Sequence, residues 1–160
     1  MLQWSPVRLV DDLQVQLVAG SKGLVAINFR ESTMDGDRND ENPAISETAR
    51  QLRAYFAGTL RDFDLPLDLR GTPFQLKVWH ALETIPYGET RSYLQIAAAI
   101  GAENAVRAVG AANGANPIPI VVPCHRVIGS SGKLVGYGGG LPLKKRLLTL
   151  EGALSDSLRW

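Results

Sequence analysis

Cysteine is nearly missing from this chain. One Cys and two His stand among its 160 residues. A single thiol cannot close an intramolecular disulfide, which fits a reducing compartment. So few soft ligands also exclude a cysteine-rich structural zinc site, and no metal is expected. Long apolar runs are missing as well. The longest are short and broken by proline, so no segment is expected to span a bilayer and no membrane partner is expected. Met1 to Val10 lacks the charged start and apolar stretch of a secretory signal, and a cytoplasmic location follows as the expectation. There is no internal repeat and no low-complexity tract. The glycine-rich stretch Gly136-Tyr-Gly-Gly-Gly140 lacks the Gly-Lys-Ser/Thr ending of a phosphate loop, and no cofactor motif appears elsewhere.

What remains is ordinary globular material. Hydrophobic residues make up 45% and charged residues 21%, enough for one core or for a small lobe beside a larger one. The net charge of +1 hides an imbalance. Residues 1–70 carry 8 Lys/Arg against 11 Asp/Glu, a net −3, whereas residues 71–153 carry 8 against 4, a net +4. A basic second half suits a polyanionic partner, although a lopsided charge is often only a solvated surface.

In the first 70 residues, Leu13, Val15 and Leu17 alternate with polar residues as in a half-buried strand. Gly20 to Gly23 is turn chemistry, and Leu24 to Phe29 reads as the return strand. Glu31 to Asn42 reads as a polar loop. Pro43 opens a helix with Ile45, Ala49, Leu52 and Phe56 on one face, stopped by Gly58. No catalytic constellation stands out here, and Leu65 to Arg70 reads as a linker. Beyond it, Thr72-Pro73-Phe74-Gln75 is a capping box for a helix presenting Phe74, Val78 and Leu82. Thr90 is read as the cap of a helix running to Ile100 and stopped by Gly101. A second short helix is expected from about Glu103 to Ala112. Two short helices around a tight turn match a helix-turn-helix. Their many alanines suit a backbone that comes close to a partner, whether DNA or another helix. Residues 154–160 form a tail with no readable pattern.

The chemistry gathers in Asn116-Pro-Ile-Pro-Ile-Val-Val-Pro-Cys-His-Arg-Val127. Three prolines in seven residues forbid a helix and remove backbone donors. A stiff apolar segment delivering Cys124 beside His125 suits rigid placement of a reactive group. A free Cys is most often a small buried hydrophobe, yet basic neighbours favour its thiolate. Adjacent side chains of an extended strand diverge, so contact between Cys124 and His125 needs a bridging water or a kink at a helix start. His80 reads as structural. The trio Lys144, Lys145 and Arg146 reads first as a solvated face that could also meet phosphates. Glu151 sits at a helix C-terminus, where the dipole favours cations. It could orient a His in a Cys–His–acid relay, and the simpler reading is an exposed Glu.

Pro123-Cys124-His125-Arg126-Val127, with Asn116-Pro117 before it and Gly139-Gly140-Leu141 and Glu151-Gly152 after it, resembles the O6-alkylguanine-DNA alkyltransferases of the bacterial single-enzyme type. The likeness is strong from Gly71 to Gly152 and loose before that. It implies an α+β two-lobe fold. A small N-terminal ribonuclease-H-like α/β lobe (1–70) would precede a mostly helical lobe (71–153) with a winged helix-turn-helix. It implies stoichiometric transfer of an alkyl group from O6-alkylguanine, and from O4-alkylthymine, in double-stranded DNA to Cys124 after base flipping. His125 matches the base, Glu151 the acid that orients it, Asn116 the residue holding the active-site turn, and Tyr93 the donor to the leaving guanine. Arg107 matches the finger that replaces the flipped base. Ala105, Ala108, Ala111, Ser92, Arg126 and Ser130 are the other DNA-binding candidates, with approach through the minor groove. Val127, Tyr137, Gly138, Gly139 and Lys144 are the substrate-pocket candidates. Gly138 replaces a larger side chain of other members, which implies room for bulky alkyl groups. Some relatives hold zinc in the N-terminal domain, and this chain lacks the ligands. No cofactor is implied, and the protein is expected to be a monomer in solution, with cooperativity on DNA left open. The competing readings are a winged-helix regulator or lesion sensor, which leaves the Pro-Cys-His run unexplained, and a Cys–His hydrolase, which needs an oxyanion hole and turnover.

Overall fold

A computed structural model describes residues 1–33, 35–132 and 134–153. The chain divides into two compact units, residues 1–70 and 71–160. The tail at 154–160 lies outside the described residues.

The first unit is an α+β layer. Strands β1 (Gln3–Val10), β2 (Leu13–Gly20) and β3 (Gly23–Asn28) form an antiparallel meander, and the two-residue β4 (Asp37–Arg38) adds parallel to β1, giving the order β3-β2-β1-β4. Helix α1 (Pro43–Phe56) packs on this sheet. Its N-terminus is set by Asn42, whose side chain accepts the Ile45 N–H, and by Pro43 in the first turn. Leu17, Ile27, Ile45, Leu52 and Tyr55 are all buried.

Four sequence readings change here. Strand β1 was not anticipated, because Pro6 interrupts it and the buried Ser5 blurs its apolar period. The polar loop from Glu31 to Asn42 contains β4, whose backbone pairing leaves no apolar signature. The buried aromatic of α1 is Tyr55, and Phe56 is only half-buried. The expected linker at 65–70 is instead held along the sheet edge. Leu24 N–H donates to Pro66 O at 2.9 Å and Asp68 N–H to Leu24 O at 2.8 Å. Gly23 permits this approach, since a Cβ there would lie 2.3 Å from Pro66 O.

The second unit is mostly helical. Helix α2 (Pro73–Glu83) starts on the Thr72/Gln75 capping box. Strand β5 (Arg91–Ser92) leads into α3 (Tyr93–Ala99). Its cap is Ser92, in a second reciprocal capping box with Gln95, rather than Thr90. Gly101, at φ +72°, ends the turn after α3. Helix α4 (Val106–Gly114) starts three residues later than the sequence suggested and extends two further. Helices α2, α3 and α4 pack on one another, and the buried Trp79 ties α2 to α4 through an indole N–H donated to Ala112 O at 2.8 Å. After a 3-10 turn at Cys124–Arg126, β6 (Val127–Ile128) pairs parallel with β5, and α5 (Leu141–Leu150) closes the unit.

Trp79 makes Gly71 a sensitive position. A Cβ on Gly71 would stand 2.5 Å from two ring carbons of that buried indole. We expect Gly71→Ala to lower the unfolding free energy by about 1–3 kcal/mol. Gly114→Ala, with nothing within 4 Å of the added carbon, should raise it by about 0.4–1 kcal/mol through the unfolded chain. Urea denaturation of both variants measures the two signs.

Candidate active site

The segment before Cys124 is a stack of local constraints. Asn116 Oδ1 accepts from the Ile118 N–H at 3.0 Å, and its Nδ2 donates across the turn to Val122 O at 2.8 Å. Val122 N–H donates to Ile118 O at 2.9 Å. Ile120 sits at φ +74°, a region that a β-branched residue enters only under compulsion. Its burial at 1% exposure supplies the compensation. Pro123, at φ −81° and ψ 65°, makes an inverse γ-turn in which Cys124 N–H reaches Val122 O at 2.8 Å. The chain then winds into the 3-10 turn. The segment is therefore kinked at Cys124, not extended, so the alternation that separates neighbouring side chains does not apply.

Cys124 is buried at 5% exposure. Burial pushes its thiol up to about 11, against opposing help from the Asn116 amide and the Lys144 charge. His125 is fully buried, and its Nε2 lies 2.7 Å from Glu151 Oε2. The same carboxylate receives Arg126 Nε on Oε1 at 2.8 Å and Arg126 Nη2 on Oε2 at 3.0 Å. A carboxylate so engaged only accepts, so the imidazole hydrogen lies on Nε2. Burial lowers the His125 pKa although Glu151 pulls it up. The ring is then neutral, and Nδ1 carries a lone pair with no partner among the described residues. A neutral buried base beside a protonated buried thiol is an arrangement waiting for a proton transfer.

The surroundings are equally specific. Lys144 is buried, and its ammonium donates to Val127 O at 2.7 Å, Val135 O at 3.0 Å and Gly136 O at 3.3 Å. Burial lowers its pKa to about 8. Tyr93, at the start of α3, donates its hydroxyl to Val135 O at 3.4 Å. Burial and the neighbouring Cys124 raise its pKa, so it stays a donor at neutral pH. The Tyr137 ring stands edge-on to His125 with centroids 6.5 Å apart.

Comparison with known proteins resolves what this constellation is. Residues 73–153 match the model of the 6-O-methylguanine DNA methyltransferase DNA-binding domain, and residues 14–69 match that of its ribonuclease-like domain. The chain belongs to the 6-O-methylguanine DNA methyltransferase family. A methylated-DNA–protein-cysteine methyltransferase of Mycobacterium tuberculosis is 56% identical over 149 residues, 90% of each chain. The crystal structure of an O6-methylguanine methyltransferase from that organism superposes with a TM-score of 0.85 at 48% identity, over 98% of this chain and 96% of that one. A structure of the M. tuberculosis protein in complex with DNA gives 0.82 at 49% identity, over 99% and 94%. The α+β two-lobe class with a ribonuclease-like lobe is that of this family.

In this methyltransferase fold the candidate residues fall into two groups. Cys124, His125, Glu151, Asn116, Tyr93, Val127, Tyr137 and Lys144 gather around the 3-10 turn. Arg107, Ala108 and Ala111 are exposed on α4, and Ala105 stands at its start. Ser92 is occupied in capping α3. With the exposed Ser130 it borders a polar cleft of about 340 Å³ that Thr90, Arg91 and Gln95 also line. Gly138 is exposed and Gly139 half-buried in the loop before α5. No metal-binding group of three or more His, Cys, Asp or Glu exists among the described residues, and no helix there is long and apolar enough to cross a membrane.

Three readings need correction. Arg126 does not face DNA: it is 6% exposed, paired with Glu151, and its Nη1 donates to Ile85 O at 2.7 Å. Lys144 is not on the solvated face, which is left to Lys145 and Arg146, because three carbonyls draw its ammonium inside. Glu151 is not an exposed helix-end carboxylate, because His125 and Arg126 supply the cations its position lacks. One site residue was missed. Asn113 is buried near the end of α4 with its Nδ2 3.5 Å from Cys124 O. Ending the predicted helix at Ala112 concealed it.

Since Arg126 pairs inside the protein, Arg126→Ala should act on stability. It strands the Glu151 carboxylate, and we expect a loss of about 3–5 kcal/mol in chemical denaturation. A variant of unchanged stability with weakened DNA binding would restore the surface role.

Proposed function

We propose that this chain repairs alkylated DNA by direct reversal, moving the alkyl group from O6 of guanine in duplex DNA to Sγ of its own Cys124. The observation that carries this reading is the buried Glu151–His125 pair at 2.7 Å, which leaves Nδ1 as an open acceptor on the residue next to the only thiol. Family membership supports the reaction class.

The chemistry balances without a cofactor. His125 Nδ1 takes the thiol proton, directly or through water, and Glu151 stabilises the imidazolium across Nε2. The thiolate attacks the alkyl carbon, the S–C bond forms, and the C–O6 bond breaks with its electron pair going to the guanine. The Tyr93 hydroxyl supplies a proton to the departing base and recovers one from the imidazolium. A thiol held protonated by burial gives a strongly nucleophilic sulfur once ionised. The product is a thioether and a neutral guanine. Nothing in the set regenerates the thiol, so each molecule acts once.

A thiol on a residue only 5% exposed cannot reach a base inside a duplex, so the nucleotide is extruded. The exposed Arg107 on α4 suits the gap left behind, and the small exposed Ala108 and Ala111 suit close approach in the narrow minor groove. Ser92 and Ser130 border a cleft that suits the phosphate backbone. Gly138 leaves space for alkyl groups larger than methyl. The partner is DNA, the protein acts as a monomer, and a lone unpaired thiol belongs in the reducing cytoplasm. O4-alkylthymine is a further substrate.

Intact-mass analysis after mixing with a duplex carrying O6-methylguanine should show one added methyl per molecule, on Cys124, and none for Cys124→Ser. An unmodified protein that binds the duplex tightly would make it a lesion sensor instead. Arg107→Ala should lose on the order of tenfold or more in rate on the duplex, and less on free O6-benzylguanine. Equal losses in single-turnover assays would contradict the finger role.

A further inference from the structure

Residues 85–88 have no part in the reaction above, yet their contacts converge on Arg126 and on the end of α5 that carries Glu151. Glu89 N–H donates to Pro86 O at 3.1 Å, closing a turn with Gly88 at φ +84°, a position that favours glycine. A Cβ on Gly88 would stand 3.1 Å from Glu151 O, so the turn lies directly against the end of α5. Tyr87 donates its hydroxyl to Leu150 O at 3.3 Å, and Gly88 N–H reaches Glu151 Oε1 at 3.5 Å. Arg126 directs its donors to Glu151 and to Ile85 O. Its cation also lies over the Tyr87 ring, with Cζ 5.7 Å from the centroid, the geometry of a cation–π contact. Tyr87 is half-buried, whereas the Arg126 side chain keeps 8% of its exposure and that of Glu151 none.

We propose that Tyr87 is a positioning residue of the relay, whose ring holds the Arg126 guanidinium on Glu151 and keeps water from that pair, so that His125 stays able to take the thiol proton. This rests on His125 acting as the base for Cys124. The groups around His125 are Glu151 and Lys144 of α5, Arg126 of its own turn, the neighbouring thiol and the edge-on Tyr137 ring, with Tyr93 of α3 beside the thiol. Burial is the largest influence holding the ring neutral, with Arg126 and Lys144 behind it, while Glu151 favours the imidazolium. Loosening Arg126 weakens one of those influences, and admitting water weakens another. Both changes raise the pKa of His125. A base that is protonated earlier as the pH falls leaves the thiol its proton. The ring is the part of Tyr87 that matters here, since the hydroxyl bonds only to a backbone carbonyl.

The test is the pH dependence of single-turnover methylation of Cys124, at saturating protein, by a duplex carrying O6-methylguanine. The native rate should stay near its plateau down to about pH 6, because His125 remains neutral there. Tyr87→Leu should fall at that pH to about half of its own plateau or less, as its base returns towards the ordinary histidine value. Tyr87→Phe keeps the ring and should keep the native profile, whatever it does to the plateau itself. A merely structural role would lower the rate by the same factor at every pH. That outcome for Tyr87→Leu would overturn the inference, and so would a Tyr87→Phe profile displaced like that of Tyr87→Leu. Where Tyr87→Leu fails to fold, Tyr87→Met takes its place under the same criteria. Nitrogen-15 NMR of His125 follows the same titration without the reaction. If the native protein is methylated at no pH, it is the alkyl-acceptor reading that fails, and the NMR titration still decides the role of Tyr87.

Discussion

Glu151 is the carboxylate on which the site depends. It caps the C-terminus of α5, a place where the helix dipole disfavours a negative charge, and it is buried as well. Two residues of the 3-10 turn make that position tenable. Arg126 binds both oxygens, and His125 binds one of them. Buried ion pairs are weak evidence for stability, because desolvation offsets most of their attraction. This one defines a state instead. With Arg126 balancing the charge, His125 stays neutral and donates through Nε2, so its other nitrogen is left basic. Arg126 is consequently a part of the relay's frame, and the Arg next to the Cys–His pair should not be read as a contact to DNA.

The remaining constraints fix where that base points. Three prolines, the Asn116 side chain spanning from Ile118 to Val122, and the strained Ile120 leave the backbone one route into Cys124. Lys144 gathers the carbonyls of Val127, Val135 and Gly136 on one ammonium. It thereby joins β6 to the loop that receives the Tyr93 hydroxyl. Each device spends stability on geometry: a β-branched residue at positive φ, an ammonium in the interior, a carboxylate at the wrong helix end. Local rules broken this closely together mark a site built for chemistry. Burial then sets the protonation pattern, raising the thiol and lowering the imidazole.

Much of this was legible in the sequence where the signal is local. The Thr72–Gln75 capping box, Pro43 opening α1 and Gly101 closing α3 depend on neighbouring residues, and the sequence shows them directly. The Pro-Cys-His-Arg-Val run and its flanks carried the family. What failed was long-range. Strand β4 and the edge pairing of 65–70 are backbone interactions with partners far along the chain. The burial of Lys144 and Arg126 depends on carbonyls and a carboxylate that folding brings in, and a charged side chain read alone is assigned to the surface. Asn113 was lost through a helix boundary displaced by two residues, the kind of error that side-chain periodicity does not correct.

The central claim is that the His125 ring is neutral, with its hydrogen on Nε2 toward Glu151 and a lone pair on Nδ1 that has no partner among the described residues. Nitrogen-15 NMR of the imidazole in the unreacted protein tests this most directly. The account predicts one protonated nitrogen, Nε2, and an unprotonated Nδ1 at pH 6.5, where an ordinary histidine is half charged. An imidazolium at that pH, or a hydrogen on Nδ1, would contradict it.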